Sequence, residues 1–258
     1  MKISIVTISY NQAQFLERAI CSIIDQDYDD LEYIVVDPGS IDGSREIIKQ
    51  YRTRMAKIIY ESDSGPADGL NKGFAYATGE IVGFINADDA LLPEALRKIS
   101  SYFERNPQMD VVCGSGFIVD ASGKVMKRMM PTRFSKRLFA YGAVTLFQQG
   151  AFFRRNAFLE TKGFNKENRT CWDGELLLDM AINGRKFGIL YEDVATFRIH
   201  DSSISGSGRM NEMYRNDCNR LFAKAMGREM NSGDRLLKKI YRLEKWLMNP
   251  RAILGRIS

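Results

Sequence analysis

"KIIYESDSGPADGLNKGFAYATGEIVGFINADD", residues 57–89, decides how this chain folds. "KIIYE" (57–61) reads as a short strand, and "ADGLNKGFAYAT" (67–78) as a helix that sets Leu70 and Phe74 one turn apart. "EIVGFINA" (80–87) is a second apolar run, too short for a helix and bounded by glycine and acidic residues. A strand, helix and strand in succession predict two parallel strands joined by a right-handed crossover.

Working backwards, the same alternation continues to the first residues. "ISIVTIS" (3–9) and "EYIVVD" (32–37) are buried strands. Between them, "AQFLERAICSII" (13–24) places Phe15, Leu16, Ala19, Ile20, Ile23 and Ile24 on one helical face. "DGSREIIKQY" (42–51) reads as a helix with Asp42 or Ser44 at its start. Going forward, Pro93 marks a helix start in "LPEALRKISSYFERN". These elements predict a parallel, doubly wound sheet over the first 109 residues. Beyond it, "DVVCGSGFIVD", "RFSKRLFAYGAVTLFQQGAFFRRNAFLE" and "WDGELLLDMAINGRKFGILYEDVATFRIH" mix short strands and helices without a clear alternation.

Composition narrows the class. The chain has 258 residues, 45% hydrophobic and 27% charged, enough for one substantial core. Four widely separated cysteines with no C-x-x-C pair argue against a zinc site or a disulfide framework. The start "MKISIVTISYNQ" does not read as a signal peptide, and no apolar run reaches membrane-spanning length, so a cytoplasmic location is expected. Of the net charge of +5, residues 209–258 carry +7 (12 Lys/Arg against 5 Asp/Glu), leaving −2 for the rest. With the excess confined to the tail, nucleic-acid binding is not expected.

In a parallel sheet, ligands gather beyond the carboxyl ends of the strands. Here those ends carry "SYN" (9–11), Asp37, "ESD" (61–63) and the adjacent Asp88 and Asp89. Two neighbouring carboxylates repel and are costly to desolvate, so a cation is needed beside them. There is no P-loop and no G-x-G-x-x-G after the first strand. A metal held by carboxylates would then supply the positive charge that a diphosphate requires.

Six segments taken in order, "VTISYNQAQFLERAICSI", "IVVDPGSIDGS", "ESDSGPADGLNKGFAYATGEIVGFINADD", "FQQGAFFRR", "WDGELLLDMAINGRKF" and "FRIHDSSIS", resemble family 2 glycosyltransferases over residues 2–205. The resemblance implies a GT-A fold: an α/β, Rossmann-like, mixed but mainly parallel sheet flanked by helices. To this the sequence adds a basic helical C-terminal tail. The expected division is a glycosyltransferase domain over 1–207, with a nucleotide-sugar-binding half (1–109) and an acceptor-binding half (110–207), followed by a helical extension over 208–258. The implied activity is inverting, metal-dependent transfer from a nucleoside-diphosphate sugar, a UDP-sugar by expectation, to a hydroxyl of a glycan or lipid-linked acceptor in bacterial surface polysaccharide synthesis.

The resemblance also assigns roles. Ile8, Tyr10 and Asp37 would meet the base, although Pro38 replaces a backbone donor in that turn. Asp63 lies on the next rim segment with Lys72, which would approach the diphosphate or else remain an exposed helical lysine. Asn86 stands where the family carries the first aspartate of D-x-D, and would bind a ribose hydroxyl. Asp88 matches the final aspartate and, with His200, would hold Mn²⁺ or Mg²⁺. Asp89 would cap the helix near Pro93. Asp173 would be the catalytic base, with N-cap duty as its alternative role; a helix start would keep it ionised. Trp172 would lie under the acceptor sugar or be core. The tail would meet anionic lipid at the inner face of the membrane or pack on the domain. The competing classes are a non-catalytic nucleotide-binding domain and a sugar nucleotidyltransferase.

Overall fold

The structure, a computed structural model, describes residues 1–201 and 210–248. Its first half has the expected alternation: β1 (Ile3–Ile8), α1 (Ala13–Ile24), β2 (Leu31–Val36), α2 (Ser44–Gln50), β3 (Lys57–Ile59), α3 (Pro66–Phe74), β4 (Ile81–Phe84), β5 (Ala90–Leu91) and α4 (Ala95–Arg105). The second half contains β6 (Val111–Val119), β7 (Val125–Met129), α5 (Lys136–Ala140), β8 (Ala151–Arg154), α6 (Arg155–Leu159), α7 (Trp172–Ile182), β9 (Phe187–Arg198), α8 (Asn211–Met226) and α9 (Ser232–Met248).

All the strands belong to one sheet in the order β3-β2-β1-β4-β8-β6-β9-β5, with β7 beside β6. The β3-β2-β1-β4 portion is parallel, whereas β8 is antiparallel to both β4 and β6. The sheet is thus mixed, as GT-A architecture requires. Alternation along its strands builds the two layers of the core. Ile3, Ile5, Tyr33 and Val35 face α1, α2 and α4, whereas Val6, Ile34 and Val36 face α3 and α7. The β4 chain stays extended past its last strand residue, and Ala87 N–H donates to the Ile8 carbonyl at 3.2 Å. That places Asp88 at the same rim as the β1 end.

The tail's described part packs on the domain. Phe222 and Leu221 of α8 and Leu237 and Tyr241 of α9 join Tyr141 and Leu178 in a third apolar cluster. No helix among the described residues is long and apolar enough to cross a membrane. The α7–α8 joint is also ionic: Glu175, 2% exposed, receives both Arg220 terminal nitrogens at 2.7 Å and Lys224 Nζ at 2.9 Å. Burial acts to raise the Glu175 carboxyl, but Arg220, Lys224 and Asn168 outweigh it and hold the pKa at about 2, against an ordinary 4.5. The folded-state pKa is depressed, so this stabilisation is present above pH 4.5 and is lost as pH falls toward 2. Glu175→Ala strands two cations and is expected to cost about 3 kcal/mol, the low end for a broken buried pair because its partners are partly exposed. Urea unfolding at pH 7 checks this, and a loss below about 1 kcal/mol would show the joint to be dispensable.

Candidate active site

Beyond the carboxyl ends of β1–β4 lies a cleft of about 1380 Å³, closed on its far side by α5, α7, α8 and α9. Ile8, Tyr10, Asp63, Asn86, Asp88 and Asp173 all line it. The structure therefore brings together six of the nine residues singled out from the sequence. Asp37 and His200 stand directly behind the lining, as described below. Lys72 does not line the cleft but stands behind its rim, its ammonium donating to the carbonyl of the lining residue Ser62 and pairing with Glu61 at 4.0 Å.

The first rim segment is a knot of two turns. Asn11 takes a positive φ of 52°, its N–H donates to Ser40 Oγ at 2.8 Å, and its Oδ1 accepts from Ile41 N–H at 3.0 Å. Asp37 is fully buried, and its Oδ1 accepts from Gly39 N–H, Ser40 N–H and Arg45 Nε at 2.8–3.1 Å. The donor absent at Pro38 is thus supplied by the next two residues. Among the described residues Asp37 Oδ2 is buried with no partner, as are Ser9 Oγ, Asn86 Oδ1 and Trp172 Nε1. Unpartnered buried polar atoms are rare in folded proteins. Four at one cleft mark groups that a polar ligand would satisfy. Tyr10, 61% exposed, is available for stacking at the mouth.

Asp63 accepts from Gly65 N–H at 2.9 Å, and burial raises its carboxyl above the ordinary range. Gly69 makes room for it: a Cβ there would come within 2.7 Å of Asp63 Oδ2.

Asp88 and Asp89 divide their tasks by orientation. Asp88 faces the cleft, and its Oδ2 lies 3.1 Å from His200 Nε2. Asp89 turns inward and does not cap α4, whose N-cap is Glu94. Its Oδ1 instead accepts from Arg198 N–H at 2.9 Å, and its Oδ2 from Gln149 at 2.8 Å and Asn86 at 3.2 Å. Burial, then the Asp88 charge, pushes the Asp89 carboxyl well up. Arg198 closes the assembly, donating from Nε to the Asp88 carbonyl at 3.0 Å and lying over the Phe15 ring, which packs on His200 at 4.7 Å. Asp88 and His200 therefore present a carboxylate oxygen and an imidazole nitrogen side by side, a donor pair suited to Mn²⁺ or Mg²⁺. Among the described residues no group of three His, Cys, Asp or Glu forms, so ligand oxygens and water would complete the shell.

Asp173 lies across the cleft in the first turn of α7. Cys171, not Asp173, is the N-cap residue. The helix start does not dominate its charge state: burial raises the carboxyl, and backbone donors at Gly174 and Asp173 oppose this only in part. Trp172 lines the cleft beside it with its indole N–H unpartnered.

Several residues that line the cleft or stand behind it escaped the sequence reading. Gln148 and Gln149 lie within the quoted "FQQG" segment and Arg198 within "FRIH"; both segments pointed to them without giving a role. Arg215, Lys238 and Arg242, which come from α8 and α9, had no motif at all.

A mixed sheet with acidic strand ends over one large cleft defines the GT-A class of transferase. The description "Glycosyl transferase family 2" matches residues 4–161, and the chain belongs to that family. An uncharacterised glycosyltransferase of Nostoc sp. is 30% identical over 215 residues, covering 79% of this chain and 66% of that protein's length. The GalNAc(5)-diNAcBac-PP-undecaprenol beta-1,3-glucosyltransferase of Campylobacter jejuni is 31% identical over 179 residues, 64% of this chain and 55% of that one. The fold is similar to that of S. aureus TarS, solved in complex with UDP-GlcNAc, with a TM-score of 0.72 at 19% identity over 96% of this chain and 72% of that one. The matched regions thus span about two thirds of the Nostoc protein and just over half of the Campylobacter one.

Proposed function

We propose that this protein moves a sugar from a UDP-sugar to a hydroxyl of a glycan or lipid-linked acceptor, with inversion, in surface polysaccharide assembly. The observation that carries this is one cleft holding the Asp88–His200 pair on one wall and Asp173 on the other. In this reading Asp37 Oδ2, buried without a partner among the described residues, would accept the base N–H, Tyr10 would stack on the ring and Asn86 Oδ1 would take a ribose hydroxyl. Asp88 and His200 would hold Mn²⁺ or Mg²⁺, which when bound supplies positive charge for the departing diphosphate. Asp173 takes the proton from the acceptor hydroxyl as that oxygen attacks the anomeric carbon from the face opposite the diphosphate. One such displacement inverts the configuration and needs no covalent intermediate.

The test is a panel of nucleotide sugars with Mn²⁺ or Mg²⁺, read as free nucleoside diphosphate, with EDTA as control. Metal-dependent UDP release from one UDP-sugar, accelerated by acceptor, is expected. Silence across the panel would overturn the reading.

The acceptor side includes α9, and we place its outer face on anionic lipid. Leu236, Ile240 and Leu243 are more than half exposed and recur at i, i+4 and i+7, with Arg235 and Lys239 exposed among them. That is the chemistry of an interfacial helix. Leu237, beside Leu236 in sequence, packs on the domain instead. The Trp246 and Leu247 side chains fall outside the described residues. Replacing Leu236, Ile240 and Leu243 together by Ser is expected to lower the fraction co-sedimenting with phosphatidylglycerol vesicles roughly tenfold. Equal sedimentation would place α9 off the membrane.

A further inference from the structure

Among the cations of α8, α9 and the turn between them, two groups contrast. Those facing the domain are paired: Arg220 with Glu175, Lys224 with Asp179 at 2.6 Å, and Arg228 with Asp234 at 2.6 Å. Those that line the cleft, Arg215, Lys238 and Arg242, have no carboxylate or hydrogen-bond partner among the described residues. Lys238 and Arg242 are four residues apart and so share one face of α9, and Lys238 is half-buried there. Three like charges lining one cavity wall repel each other, and the half-buried Lys238 has no carboxylate beside it among the described residues. An anionic ligand on that wall would relieve both costs.

This anion is not the donor's. The donor groups Asp63, Asn86 and Asp88 sit at the strand ends, whereas these cations come from the helices packed on α5 and α7, beyond Asp173. Tyr214, next to Arg215, has its hydroxyl pKa raised by burial and then by Cys218, with Asp173 near enough to add a small contribution. Phe139, Leu146, Leu221 and Phe222 line the cleft on the same side, so the wall is cationic with apolar surroundings.

We infer that Arg215, Lys238 and Arg242 form a subsite for a phosphate or diphosphate carried by the acceptor, between its sugar and an apolar group. The inference rests on the transferase reading above and names the acceptor class for it. The cations hold the phosphate by charge-assisted hydrogen bonds, and Arg contributes bidentate geometry. The acceptor's sugar then reaches Asp173, and its apolar group leaves along Phe139 and Leu146 toward the exposed ridge of α9.

The test uses the full chain, saturated with UDP and Mg²⁺, titrated calorimetrically with farnesyl diphosphate, farnesol and inorganic pyrophosphate. Farnesyl diphosphate is expected to bind, farnesol to bind at least tenfold more weakly, and pyrophosphate to fall between them. In Arg215→Gln/Lys238→Gln/Arg242→Gln, farnesyl diphosphate should weaken at least tenfold while UDP affinity stays within twofold. Lys238→Arg should retain binding, and an unchanged melting temperature would show that the triple variant is folded. Unchanged farnesyl diphosphate affinity in the triple variant would overturn the inference. So would a parallel loss of UDP, which would give the cations to the donor. A loss confined to phosphatidylglycerol vesicles would also overturn it, in favour of a lipid headgroup. Failure of the wild type to bind UDP would instead strike the donor reading, so the two failures are distinguishable.

Discussion

Asp88→Ala is expected to lower nucleoside-diphosphate release by about a thousandfold, the upper range for removing one electrostatic stabiliser of a developing charge. Asp88 faces the cleft, and its carboxylate pairs with His200 at 3.1 Å. Its removal takes away the only carboxylate of the proposed metal pair while leaving the Asp89–Arg198–Gln149 assembly behind it intact. The buried His200 loses this partner, so a stability loss of about 1 kcal/mol is expected. Loss of the neighbouring charge also removes one of the causes that push the Asp89 carboxyl up. Metal titration of activity checks the assignment: the variant should not recover at any Mn²⁺ concentration that preserves the wild type. Wild-type turnover in Asp88→Ala would remove Asp88 from the chemistry altogether.

Asp173→Asn is expected to reduce kcat by about 10²–10⁴, the range for general-base catalysis, with UDP affinity unchanged because Asp173 stands on the opposite wall. Two further readouts separate a base from a structural carboxylate. The first is pH. The base works ionised, so activity falls as pH drops through its folded pKa, and burial places that pKa above the ordinary carboxylate value of 3.8. The acid limb of the wild-type profile should lie correspondingly high and should vanish in Asp173→Asn. The second is stability. A raised carboxyl favours the folded state below its unfolded pKa and penalises it as pH rises through the folded pKa. Asp173→Asn should therefore melt higher than the wild type at pH 7, which is the stability given up for function at this position. An unaltered acid limb together with near-normal kcat would assign the base elsewhere.

The first half of the fold was legible because its strands are buried on both faces and its helices on one. "ISIVTI" and "EYIVV" read as continuous apolar runs, and α1 buried the six residues its spacing selected. The second half was not, because its strands owe their positions to distant partners. β9 runs beside β6 with register shifts around Ser115, a relation without local signature. Asp89 shows the limit most clearly: a carboxylate three to four residues before Pro93 has the local pattern of a cap. What decides its place is an N–H from Arg198, 109 residues away. The Asp88–His200 contact spans 112 residues and came within reach only through the family resemblance. Composition told that the tail is basic, but which of its charges face a cavity depends on α9 docking by Leu237 and Tyr241.

The ionic clasp at Glu175 has a practical corollary. Trimming the chain at residue 207, where a domain boundary was drawn from sequence, would shear off the partners of an almost wholly enclosed carboxylate and leave the trough without one of its sides. The shortened product would keep the donor pocket and sacrifice solubility, so a minimal catalytic unit has to extend through the final helix.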